Sequence, residues 1–374
     1  MNKIVIIGGG FAGLSALIKF AHRHDNFNVT LIDRKEDFNF LPALPDIIGE
    51  KLSPRHLTNN LAAFCKRCNA SFLNEEVKDL DLKKRMVHTS SHAIGYDYLL
   101  IASGSQTNFY GNQQLSQYAY TLDTVKDAEQ ILRTLKKGEC KNFIVGGGGY
   151  TGIEVATNLR RYCIRHRRPD TIVIVEKAPS LLGPLPGWMK EYVVHNLKSL
   201  AIKVCLNTVA TDFQERKISL SNGASFDNSM FIWAAGVKTS DFITSLAIEK
   251  TPQGRIIVDP YLRLNDNCFV AGDAASVSYK GVALRMAVQF ALSQGVVAAE
   301  NIMRSIAKIP FTEYVPIDLG YIVPMANNKS CGRALGVNIR GVLGVCAHYF
   351  FCLYRSYGFR NRLGIIGNLI KGGA

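Results

Sequence analysis

Short apolar runs closed by glycine alternate along the chain with stretches whose apolar residues recur every three or four positions, a pattern that predicts parallel strands joined by helices. The first run, Lys3 to Ile7, meets Gly8-Gly9-Gly10-Phe11-Ala12-Gly13 and leads into a predicted helix over 14–21. A second strand over 29–32 ends on Asp33, and a third over 98–102 closes on Ser103-Gly104. The same order is then written again. Residues 143–145 run into Gly147-Gly148-Gly149-Tyr150-Thr151-Gly152, a strand over 171–175 ends on Glu176, and 230–235 closes on Gly236. Two more strands are expected over 255–259 and 267–273, then a long helix over 282–306. Beyond Pro310 the texture changes, and residues 341–354 carry no Asp, Glu, Lys or Arg.

A chain of 374 residues is too long for one compact core, so two α/β units are expected. With 47% hydrophobic and 20% charged residues it reads as globular rather than disordered. The formal net charge of +14 attracts polyanions. No zinc-finger spacing, RNA-binding signature or aromatic-rich basic tract accompanies it, which argues against nucleic acid. The apolar stretch behind Lys3 is too short for a signal peptide or a spanning helix, and nine scattered cysteines fit reduced thiols, so a cytoplasmic chain is expected.

Each glycine motif has a mechanical reason. The first glycine makes a tight turn, the second lets a pyrophosphate approach the backbone, and the third lets helix and strand pack closely. The helix start then faces the phosphates with its N–H groups. Asp33 and Glu176 stand where a carboxylate accepts from ribose hydroxyls and repels a 2′-phosphate, so Glu176 favours NADH over NADPH, and Lys177 beside it works the other way. Gly272-Asp273 marks where the chain returns to the first unit, with a carboxylate placed for a ribityl hydroxyl. That return assigns FAD to the first motif and NADH to the second.

On these motifs, together with Leu100 to Gly111, Ile232 to Val237, Val288 to Gly295 and Tyr357 to Leu363, the chain resembles the two-dinucleotide-binding-domain flavoproteins. Within them it is most similar to the type II NADH:quinone oxidoreductases. The resemblance implies an α/β fold of two Rossmann-like domains, the second inserted in the first, plus a C-terminal membrane-associating segment. The FAD domain is expected at 1–110 and 251–310, the NAD(H) domain at 111–250, and a C-terminal region at 311–374. It implies an FAD site of Gly8, Gly10, Phe11, Ala12, Gly13, Asp33, Arg34, Val77, Ala102, Ser103, Gly104, Gly272, Asp273 and Gln289. The corresponding NADH site is Gly147, Gly148, Gly149, Tyr150, Thr151, Gly152, Glu176, Ala235 and Gly236. Glu154 and Gln289 are the expected catalytic residues and no metal is expected. Ser293 replaces a second glutamine usual in that family, and Tyr150 a usual proline.

The activity implied is transfer of two electrons from NADH through FAD to a membrane quinone, without proton pumping. Two alternatives stay open. Sulfide:quinone reductases share the fold and use paired cysteines, for which Cys163 and Cys331 are the candidates; a nucleotide-binding sensor without turnover is the other. Cys65-Lys66-Arg67-Cys68 is a lone pair without a second, which reads as an ordinary helix or loop ahead of zinc or redox work. Residues 341–370, aromatic and flanked by Arg340, Arg355, Arg360, Arg362 and Lys371, suit a helix lying in an anionic interface, at the cytoplasmic side of the membrane. A homodimer stays open.

Overall fold

The computed structural model describes residues 1–22, 27–214 and 216–372. They form two compact units. One comprises Met1–Phe38, Asn59–Gln106 and Val237–Asp318; the other comprises Asn39–Thr58, Thr107–Gly236 and Leu319–Ala374.

The first unit is built on a six-stranded sheet in the order Arg263–Asn265, Cys268–Val270, Tyr98–Ile101, Lys3–Ile7, Asn28–Ile32, Ser71–Leu73. All neighbours run parallel except the edge strand Arg263–Asn265. Ile4 and Ile6 are wholly buried, as a strand covered on both faces must be. Ile7 pairs with Ile32 on one side and Ile101 on the other, so three strands deliver their carboxyl ends to one edge. The helix Phe11–Ala21 buries Leu14, Leu17 and Phe20, each contributing about 1.5–3 kcal/mol. It packs against the helix Val288–Ala307, where the Ser15 hydroxyl donates to the Leu292 carbonyl at 2.9 Å. That helix starts at Val288 rather than at 282, because Lys280 and Gly281, both at positive φ, fold Ser278–Tyr279 and Val282–Ala283 into a hairpin. The strand expected over 255–259 shrinks to Ile256–Ile257.

The second unit holds a four-stranded parallel sheet in the order Ile202–Cys205, Thr171–Val175, Asn142–Gly146, Ser229–Trp233. Gly146 stands level with Val175 and Trp233. The helix Tyr150–Arg165 turns Ile153, Ala156, Leu159 and Cys163 to the core. Beyond Leu319 a three-stranded antiparallel meander over Gly320–Met325, Lys329–Ala334 and Val337–Arg340 feeds the helix Gly341–Arg355.

The C-terminal stretch is two helices, not one continuous segment. Ser356 leaves the first in an extended conformation, and Gly358 at φ +86° turns the chain into Phe359–Gly372. Gly344, Val345, Tyr349 and Cys352 are buried, whereas Val342, Leu343, Phe350 and Tyr354 lie on the exposed side. In the second helix Phe359, Leu363, Ile366 and Ile370 form an exposed apolar stripe at helical spacing. Among the described residues no helix is long and apolar enough to cross a membrane.

Candidate active site

The two glycine motifs adopt closely similar geometry. Gly8 and Gly147 sit at φ +106° and +113°, where a side chain is strained. Each backbone N–H donates at 2.8 Å to the last residue of the neighbouring strand, Ile32 and Val175 respectively. A Cβ on Gly13 would stand 1.9 Å from the Gly8 carbonyl oxygen, and one on Gly152 1.9 Å from that of Gly147. Only glycine lets the helix come this close to the strand. Gly10 and Gly149 occupy the N-cap positions without any side chain to cap the helix, and a Cβ on either would meet nothing within 4 Å. Both helix starts therefore face open space, the arrangement that accepts a pyrophosphate.

The acids repeat the same likeness. One oxygen of Asp33 accepts the Gly9 N–H at 2.6 Å and the other the Lys35 N–H at 2.8 Å. One oxygen of Glu176 accepts the Gly148 N–H at 2.6 Å and the other the Ala178 N–H at 2.7 Å. Both carboxylates are thus fixed as acceptors at the lip of their loop, ready for ribose hydroxyls. Arg34 donates to Gln106 at 3.3 Å and pairs with Glu76, while Val77 is buried in a separate antiparallel sheet.

The returning Gly272-Asp273 turn opens a single 3-10 turn. Asp273 accepts the Ser105 hydroxyl at 2.8 Å, and burial holds its carboxyl above the usual range against the pull of Ser105 and Arg255. The Gly272 N–H is held by Gln294, a side chain buried in the helix Val288–Ala307, at 2.8 Å. Gln294 carries no local sequence signal that separates it from its neighbours Gln289 and Ser293; only its burial against the returning turn gives it this place. Ser293 instead shares a 2.9 Å hydrogen bond with Tyr314, and Gln289 donates to Asp318, which also forms an ion pair with Arg285. Ala102 is buried and Ser103 meets the Ser240 hydroxyl at 2.8 Å. In the second unit the loop at Tyr110 covers Gly236, and the Asn108 N–H donates to the Gly236 carbonyl at 3.2 Å. The strand expected over 230–235 runs Ser229–Trp233, and just beyond it the Ala234 N–H donates to the Gly146 carbonyl at 2.8 Å, next to Ala235. Tyr150 stacks edge-on against Tyr321 and Thr151 is exposed.

Glu154 does not sit as an ordinary solvated carboxylate in the first helical turn. It opens into a narrow cleft within the second unit, shared with Asp46, Lys51, Asn158 and Tyr349. Glu154, Asn158 and Arg161 follow one another at helical spacing along one face of Tyr150–Arg165. Against that face lies the short helix Pro45–Ile48; Arg161 donates to Gly49 at 3.2 Å and to Gly372 at 2.7 Å. From the C-terminal helix the Tyr349 hydroxyl donates to Asp46 at 2.9 Å, and the Lys51 ammonium lies 4.5 Å from the centre of the Tyr349 ring. Burial, reinforced by the neighbouring Asp46, holds the Glu154 carboxyl well above its usual range. Burial also raises Asp46, opposed by Lys51, Tyr349 and Arg161. Asn158 and Arg161 could have been found by counting turns from Glu154. Asp46, Lys51 and Tyr349 could not, since nothing local ties them to it.

The cysteine candidates fall outside any site. All nine are free thiols. Cys163 and Cys331 lie in the hydrophobic core, and burial pushes both thiols up to about 11. A neutral buried thiol is a poor nucleophile, which weakens the sulfide reading. Cys65 and Cys68 end the helix Leu61–Arg67, with the Cys65 thiol pushed up to about 12. Among the described residues no group of three or more His, Cys, Asp or Glu is placed to hold a metal.

A sequence model of the pyridine nucleotide-disulphide oxidoreductase family matches residues 2–295. The chain belongs to that family. Within it, the type II NADH:quinone oxidoreductase of Staphylococcus haemolyticus is 23% identical, the match covering 91% of each chain. The demethylphylloquinone reductase NdbB of Synechocystis is also 23% identical, over 96% of this chain and 94% of its own. Among solved structures, NDH2 of Plasmodium falciparum in complex with NADH superposes with a TM-score of 0.89 at 17% identity, over all of this chain and 98% of that one. The sulfide:quinone oxidoreductase of Aquifex aeolicus follows at 0.79 and 20% identity, covering 97% of this chain and 92% of its own. At such identities the superpositions establish the fold: the α/β architecture of this oxidoreductase family.

Proposed function

We propose that this oxidoreductase is an FAD-dependent NADH dehydrogenase that passes electrons to a membrane quinone. The observation that carries the reading is that two glycine-loop cradles of the same pattern stand in one chain, the second opening a helix whose next turn presents the Glu154 carboxyl to a cleft. The first cradle, Gly8 to Gly13 with Asp33, Ser103, Gly104 and Asp273, holds FAD; the second, Gly147 to Gly152 with Glu176 and Gly236, holds NADH. Bound FAD would supply the hydride acceptance and two-electron relay, so the protein needs no catalytic triad. The chain's own residues bind and orient the nucleotides, and Glu154 gives a proton to the acceptor. Gln289 is proposed to line the flavin site. The relatives named as quinone reductases over nearly their full length support this acceptor.

The C-terminal helices support a peripheral place on the membrane. Their exposed apolar side chains, beside the exposed Arg360, Arg362 and Lys371, match an anionic interface that receives apolar side chains below and basic ones at the headgroups. The cytoplasmic face is the proposed side.

Anaerobic addition of NADH to the FAD-loaded protein should bleach the flavin absorption, and membranes carrying it should then reduce a quinone analogue. Reduction by sulfide with none by NADH would overturn the reading. Bleaching without quinone reduction would confine the function to NADH oxidation with another acceptor.

A further inference from the structure

The cleft within the second unit contains a second carboxyl group that the reaction as described does not use. Asp46 is only 7% exposed, and it is brought to the cleft by a turn in which its carbonyl accepts the Lys51 and Leu52 N–H groups at 2.8 and 3.2 Å. That turn folds the Lys51 ammonium back over Tyr349. The cleft's titratable lining is Asp46 and Lys51 on the 39–58 segment, Glu154 on Tyr150–Arg165, and His348 and Tyr349 on Gly341–Arg355, with Arg161 and Cys352 close enough behind them to interact with its acids. The fourth wall, Pro324 to Ala326, has none.

The hydrogen bonds distribute the charge. Asp46 accepts from Tyr349 and faces Lys51, and these with Arg161 and Asn158 pull its carboxyl down against the burial that raises it, so of the two acids it is the one with partners for the ionised form. Glu154 has no cation among its influences: burial comes first and the Asp46 charge second, both favouring the neutral form. His348 is held neutral by burial, which pushes it down to about 4. Asn158, 3% exposed, donates to the Glu154 carbonyl at 3.0 Å, while its own side-chain oxygen is buried without a partner among the described residues. That orphan acceptor, on the next helical turn from Glu154, suits an O–H group entering the cleft.

We propose that Asp46, fixed as a carboxylate by Tyr349 and Lys51 in the cleft it shares with Glu154, is a positioning residue that keeps Glu154 loaded with one proton for the acceptor. The inference rests on the quinone-reductase reading. In balance, NADH, one proton and a quinone give NAD⁺ and a quinol: NADH is oxidised by two electrons and the quinone is reduced by two. The O–H bond of Glu154 breaks, an O–H bond forms on the quinone oxygen, and Glu154 is left as a carboxylate. Two carboxylates then face one ammonium, and repulsion draws the replacement proton from water back to Glu154. One proton is consumed per turnover, and one is what the pair stores.

The test begins with the FAD-loaded protein without NADH or quinone, so that it does not depend on turnover. Infrared titration should show a protonated carboxyl band, absent in Glu154→Gln, that persists through neutral pH. In Asp46→Asn, which keeps an acceptor for Tyr349, the band should disappear at a pH lower by about one unit or more, roughly tenfold less neutral Glu154 at a given pH. The alkaline limb of quinone reduction should move down by the same amount. If Asp46→Asn does not fold, Tyr349→Phe, which lets Asp46 compete for the shared proton, should move the band the same way by less. An unmoved band in the folded variant sinks the inference, whatever the activity. A moved band in a protein that reduces no quinone keeps the carboxyl pair and removes the function it was assigned to.

Discussion

At the scale of single residues, three carboxyl groups meet different surroundings. Asp33 and Glu176 accept backbone N–H groups at their loop lips, whereas burial and the neighbouring Asp46 hold the Glu154 carboxyl well above its usual range. Replacing Glu176 with Ala should raise the dissociation constant for NADH by about tenfold or more, the worth of one lost charge-assisted hydrogen bond, with FAD retained. Asp33→Ala should lose FAD instead; equilibrium binding of each nucleotide to both variants checks the assignment, and an exchange of the two phenotypes would reverse it. Glu154 also makes a prediction about stability. Its folded carboxyl titrates above the unfolded value of 4.5. Between those two values the folded state holds a proton that the unfolded state has released. Stability must therefore fall as pH rises through that window, by about 1.4 kcal/mol per pH unit for one proton. Urea midpoints from pH 4.5 upward should show that slope, and Glu154→Gln should flatten it; an unchanged slope would place the proton elsewhere.

At the scale of elements, the fit between helix and strand depends on glycine. Gly13→Ala and Gly152→Ala each put a methyl group 1.9 Å from a carbonyl oxygen, so the helix must back away from the phosphate edge of its sheet. Loss of FAD is expected from the first and weakened NADH binding from the second, with little change in far-ultraviolet circular dichroism. The C-terminal helices have two working faces. Deleting 341–374 would take Val345, His348 and Tyr349 from the cleft together with the exposed apolar stripe, and so would mix two effects. Charged replacements confined to Phe350, Tyr354, Phe359 and Leu363 separate them. They should release the protein from anionic vesicles in a flotation assay while NADH still bleaches the flavin. Vesicle binding that survives all four changes would remove these helices from the membrane contact.

At the scale of the whole molecule, the +14 charge and the exposed apolar stripe make different demands on conditions. Attraction to anionic lipid is screened by salt, with a Debye length of about 8 Å at physiological ionic strength, whereas apolar insertion is not. Binding to anionic vesicles should therefore weaken with salt but persist in part, and binding to neutral vesicles should be salt-insensitive; co-sedimentation across a salt series measures both.

The duplicated cradles were legible in the chain because their causes are local. A strand, a turn that only glycine adopts, a helix start and an acid at the next strand end lie within a few dozen residues, and backbone sterics leave them one geometry. The same holds for the apolar spacing of Phe359, Leu363, Ile366 and Ile370. Local pattern ran out where a turn overrode it, as when Lys280-Gly281 made a hairpin of residues read as helix, and at Gly358, which divides the C-terminal segment in two. The cleft belongs wholly to the tertiary structure. Residues 46, 154 and 349 share no periodicity or spacing, and it is the packing of the 39–58 segment and the C-terminal helix against Tyr150–Arg165 that withdraws them from water together. A carboxyl's proton affinity depends on that withdrawal and on what charge stands beside it, quantities that a linear sequence does not contain.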